Sequence, residues 1–285
     1  MQDVILDTLL DVLKLIPFLF LTYLLMEYIE HKTSEKSESV IKRAGKFGPV
    51  IGGLLGIVPQ CGFSASAASL YSGRIISLGS LIAVFLSTSD EMLPIFISER
   101  AKPAVIVEIL AIKAVSAIIV GCAIDIIVRL AHKDKHEIDI HCICENENCH
   151  CEEHGIFTSA LIHTGQITLF ILIVTFLLNL AIHFIGEDKL SMIFVDIPVL
   201  SCAIASLVGL IPNCAASVVI TELYLNGIIG TGAMISGLLT SCGIGLLILF
   251  RTNKKHMKEN LVITVLMFAT GVIIGTIVDA IGISI

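Results

Sequence analysis

Charge is what this sequence is short of. Only 15% of its 285 residues are Asp, Glu, Lys or Arg, 55% are hydrophobic, and the mean hydropathy is +0.94. A soluble domain of this length carries far more charge, so that class is excluded. The phosphate-cradling phrase G-x-x-x-x-G-K-[ST] is missing, which argues against an ATP-driven pump on this chain. No C-x-x-C pair and no cofactor signature occurs, which argues against a thiol redox enzyme; the chain is read as a non-enzyme without a resident cofactor. No basic segment precedes the first apolar run and no small-residue cleavage pattern follows it, so that run is expected to stay as a helix. Charges gather in a few loops, which leaves no nucleic-acid footprint.

What is present is apolar sequence in long runs: 4–28, 47–73, 75–97, 103–130, 158–185, 192–225, 228–250 and 260–285. Each meets the roughly 20 residues a spanning helix needs. Backbone groups in hydrocarbon must bond within their own segment, so the expectation is an all-α integral protein of the cytoplasmic membrane.

Two of these runs carry the same interrupting phrase. G-I-V-P-Q-C-G-F-S at 56–64 returns as G-L-I-P-N-C-A-A-S at 209–217. The register holds beyond it: Tyr71 meets Tyr224, Ile75-Ile76 meets Ile228-Ile229, Gly79 meets Gly232, and Ser87-Thr88 meets Thr240-Ser241. With a one-residue slip, Gly121 and Asp125 meet Gly275 and Asp279. The expected organisation is therefore a first transmembrane repeat at 1–130, a linking loop at 131–157 and a second repeat at 158–285. Pro59 and Pro212 each split a run of about 26 residues into two pieces of about 12, either two short helices or a re-entrant hairpin. Both give each half an odd number of crossings, and two such halves are related by inversion.

Basic residues agree with that parity. Lys32, Lys36, Lys42, Arg43 and Lys46 crowd the 30–46 loop, against Lys189 in its counterpart. Arg251, Lys254, Lys255 and Lys258 crowd the 251–258 loop, against Arg100 and Lys102. Placing both basic loops in the cytoplasm turns the halves upside down relative to each other, with the termini outside and the central loop inside.

The repeated phrase supplies ligands. Each proline frees a backbone carbonyl, and beside it stand Gln60, Cys61 and Ser64 in one half and Asn213, Cys214 and Ser217 in the other. Inverted copies would bring these groups face to face near the midplane, with the broken helices lining a cavity. A second paired motif sets Ser87-Thr88-Ser89-Asp90-Glu91 against Thr240-Ser241-Cys242-Gly243. About 12 residues from either end of one helix, Asp90 and Glu91 read as ligands or proton carriers, because ionised groups in hydrocarbon are expensive. Lys113 is expected to neutralise one of these acids and yield to an arriving cation, and Glu222 is a second coupling candidate. Asp125 and Asp279 fall near helix ends, which suggests the interface.

The central loop reads H-K-D-K-H-E-I-D-I-H-C-I-C-E-N-E-N-C-H-C-E-E-H over 132–154. His141, Cys142, Cys144, Cys149, His150, Cys151 and His154 form a C-x-C-x4-C-x-C array rich in soft and borderline ligands, without zinc-finger spacing. In the cytoplasm those thiols stay reduced and suit metal capture for delivery or sensing; outside they would suit disulfides.

Together, the V-P-Q-C-G-F-S and I-P-N-C-A-A-S pair, the S-T-S-D-E stretch and the Cys/His loop resemble the ten-spanning heavy-metal exporters, a group also labelled arsenic-efflux-like permeases or manganese transporters. The resemblance implies ten short helices, which favours five crossings per half, and export of a metal or metalloid. Oxygen groups suit Mn²⁺, while Cys61, Cys214 and Cys242 suit Zn²⁺, Cd²⁺ or arsenite. The reading is a secondary transporter driven by protons or membrane potential. The alternative is a permease for a small organic or oxyanionic solute such as an organoarsenical. A homo-oligomer is left open.

Overall fold

The computed structural model describes residues 47–58, 61–89, 92–131, 156–185 and 198–282, together with single positions between 12 and 25. Helices form throughout, and no strand occurs among the described residues. In chain order they are α1 (Gly48–Leu55), α2 (Cys61–Ser72), α3 (Leu78–Ser87), α4 (Met92–Ser98), α5 (Pro103–Leu130) and α6 (Ile156–Ile185). There follow α7 (Pro198–Gly209), α8 (Ala215–Leu225), α9 (Thr231–Thr240), α10 (Gly245–Thr252) and α11 (Met257–Ile281). The same succession thus occurs twice: two short helices about the proline phrase, two about the Ser/Thr motif, then one of 28 or 25 residues.

Local chemistry sets the boundaries. Ser77 caps α3 by accepting the Ser80 N–H at 3.2 Å. Pro103 opens α5, where its missing N–H costs nothing. At the far end of α11, Gly282 takes φ +72°, the left-handed closing conformation that favours glycine.

The sequence alone reads 75–97 as one helix, but α3 stops at Ser87 and α4 begins at Met92. No proline causes this break. Thr88 Oγ1 and Ser87 Oγ donate to Val84 O at 2.7 and 3.1 Å, and Ser89 Oγ donates to Ser87 O at 3.1 Å, so hydroxyls occupy carbonyls at the helix end. In the second half Gly243, at φ +55°, turns the chain between α9 and α10.

α3 and α9 form the centre, buried from 79 to 87 and from 232 to 240. The long α5 and α11 lie outside them, burying one face and exposing Val115, Ile119, Ile126, Val265 and Ile273 on the other. A helix apolar on its exposed face suits lipid. Residues 78–98, 103–130, 231–252 and 254–281 are each long and apolar enough to cross a membrane.

Each central helix approaches its long neighbour through glycine. A methyl on Gly79 would strike Gly121 O and the Asp125 carboxylate; one on Gly232 would strike Gly275 O and the Asp279 carboxylate. Between the halves, α2 runs beside α10 in the same direction: Gly245 packs on Ser64 at one end, and the Ser72 and Thr252 hydroxyls meet at 2.6 Å at the other. The matching pair, α8 and α4, meets through an edge-to-face contact of Tyr224 with Phe96, centroids 6.3 Å apart.

Candidate functional site

Two helix starts meet at one point. Cys61 is the first residue of α2 and Cys214 immediately precedes α8, and their sulfurs lie 2.8 Å apart. The surroundings repeat: Ser64 Oγ donates to Cys61 O at 2.8 Å, and Ser217 Oγ donates to Cys214 O at 2.7 Å. Cys214 is buried, Cys61 half-buried, and neither is in a disulfide. Asn213 is buried beside them, its Oδ1 accepting the Ala215 N–H at 3.4 Å. Two thiols in contact form a soft donor pair.

A second convergence lies at the C-terminal ends of α3 and α9. Helix ends leave carbonyls without intrahelical donors, and partial negative charge accumulates there. Lys113, from the middle of α5 and 1% exposed, donates its ammonium to Thr88 O and, at 2.8 Å, to Leu238 O. Thr88 follows α3, and Leu238 lies in the last turn of α9, so one ammonium bridges the corresponding helix ends of both halves. At the matching position of α11 stands Met267, also buried. The cradle is therefore shared by both halves, and its charge comes from one.

Around the α9 end, Thr240 Oγ1 donates to Ser206 O and Gly237 O, each at 3.0 Å. Ser241 and Cys242 are buried, and the Ser241 hydroxyl has no hydrogen-bond partner among the described residues. A buried, unsatisfied hydroxyl at a helix break is an available ligand. Among the described residues no three His, Cys, Asp or Glu side chains converge as a metal-binding group.

The sequence itself matches a known family. The family described as "Putative, 10TM heavy-metal exporter" (ArsP_2) has a model that matches residues 1–185, about two thirds of the chain. The chain belongs to this family. No curated protein and no solved structure matches it.

In this exporter, then, the structure brings together Cys61 with Cys214, and Lys113 with the ends of both Ser/Thr motifs. Glu222 is exposed near the end of α8 and does not join the buried cluster. Gln60, Asp90, Glu91 and the candidate loop ligands His141, Cys142, Cys144, Cys149, His150, Cys151 and His154 lie outside the described residues.

Two groups that sequence reasoning set at helix ends have a defined task. Asp125 accepts the Gly79 N–H at 2.8 Å and the Ser77 hydroxyl at 2.7 Å; Asp279 accepts the Gly232 N–H at 2.7 Å. Each carboxylate thus caps the N-terminus of its half's central helix, where partial positive charge favours it. The shared spacing to a glycine in both halves was the available signal.

Proposed function

We propose that this heavy-metal exporter moves a thiophilic cation, of the Cd²⁺ or Zn²⁺ class, through a site centred on Cys61 and Cys214. The observation that carries the reading is their sulfur–sulfur contact of 2.8 Å, made by equivalent residues of the two halves. Mn²⁺ prefers an all-oxygen shell, and a path that places two thiols in contact favours softer ions. The Ser241 hydroxyl is a supplementary donor.

Lys113 serves as the resident cation of the empty state. Its ammonium holds the carbonyls of both helix ends, and an arriving ion displaces it. Asp90 and Glu91, next in sequence after Ser89, balance charge or carry the protons that drive exchange. The two halves are inverted repeats, their broken helices meet near the membrane midplane, and the Cys/His loop captures metal on the cytoplasmic side.

Purified protein in liposomes with an internal pH indicator tests this. Thiophilic cation flux with opposing proton movement, lost in Asp90→Asn, is expected. Flux of an oxyanion or organic solute indifferent to Asp90 would replace this reading with the permease alternative.

A further inference from the structure

The two halves match at one turn in backbone but not in chemistry. Arg74, after α2, has φ +58°; its counterpart Gly227, after α8, has φ +70°. Glycine takes this left-handed conformation freely, whereas an arginine there is strained and is held by its surroundings. What holds Arg74 belongs to the other half. Its Nη1 and Nη2 donate to Glu259 Oε1 and Oε2 at 2.9 and 3.0 Å, a two-pronged pair at the start of α11. The Tyr71 hydroxyl donates to the same carboxylate, and Ser72 meets Thr252 one residue away.

At the opposite pairing the residues of this arrangement are replaced. Tyr224 replaces Tyr71 but packs on Phe96, Gly227 replaces Arg74, and Val105, third in α5, replaces Glu259, third in α11. The arginine–carboxylate pair thus belongs to one junction, and the residues at the matching positions of the other cannot form it. Along α2 the tie lies ten residues from Cys61, about 15 Å at 1.5 Å per residue.

We propose that Arg74, Tyr71 and Glu259 are the gate that closes the path to Cys61 on the side of the 251–258 loop, and that the gate opens once per transport cycle. This rests on the reading of the chain as an alternating-access exporter with two inverted halves. The residues act by positioning α2 against α10 and α11; none of them is a ligand of the transported ion.

The test is labelling of Cys61, left as the single cysteine, by a membrane-impermeant maleimide applied from the side of the 251–258 loop. The informative variant is Arg74→Gly, which gives this turn the residue its counterpart already has, so the tie is lost while backbone strain is relieved. Labelling about ten-fold faster than the parent is expected on losing hydrogen bonds to a charged group. The swap Arg74→Glu with Glu259→Arg should slow it again. Equal rates in the parent and in Arg74→Gly would overturn the gate and leave the triad a static staple. Because the readout is accessibility and needs no ion, a protein that carried no metal would overturn the export reading and leave this result standing.

Discussion

At the residue scale the structure turns on Lys113. An ammonium in an apolar interior is tolerated when its donors are met, and here carbonyls from opposite halves accept two of its three N–H groups. If it is the resident cation, Lys113→Met removes a competitor: thiophilic cation binding should tighten while flux falls, because the empty site loses the ion that resets it. A purely structural lysine would weaken both together. Equilibrium binding beside liposome uptake separates the two. The sequence showed Lys113 as a buried charge, but not its carbonyl partners, because backbone acceptors leave no trace in residue identity. Cys61 and Cys214 were legible because proline, sulfur and register repeat together.

At the scale of elements, the glycine contacts set how closely α3 and α9 approach α5 and α11. Gly232→Ala should cost about 1–3 kcal/mol, the range for forcing a methyl into a packed interface, and Gly79→Ala should cost a similar amount. Thermal unfolding in detergent measures both. A loss at Gly232 alone would mean the halves are not equivalent in packing. The proline breaks were readable from local rules, whereas the stop at Ser87 was not. Thr88 leaves the helix there with ψ +129°, and a short Ser/Thr run inside apolar sequence reads as helix until that turn is seen. The signal for Arg74 lay in the repeat itself, as a large charged residue where the second copy has glycine.

At the scale of the whole molecule, membership of the exporter family and the twofold succession of helices agree with a transport path between two halves. Inversion makes a prediction about sides. Single cysteines introduced by Ser39→Cys and Lys255→Cys should react with an impermeant reagent from the cytoplasmic face, and Lys189→Cys from the outer face. Labelling of positions 39 and 255 from opposite faces would show the halves to be parallel. The charge asymmetry of the loops is the sequence signal behind this prediction, and the structure brings the cysteines of the two halves into contact.

The most direct measurement is Cd²⁺ uptake into liposomes by the parent protein, Cys61→Ser, Cys214→Ser and the double variant. A site built from both sulfurs predicts that each single change lowers apparent affinity about ten-fold or more, and that the double change adds little, since one thiolate cannot complete the pair. Full Cd²⁺ uptake by the double variant would contradict the account.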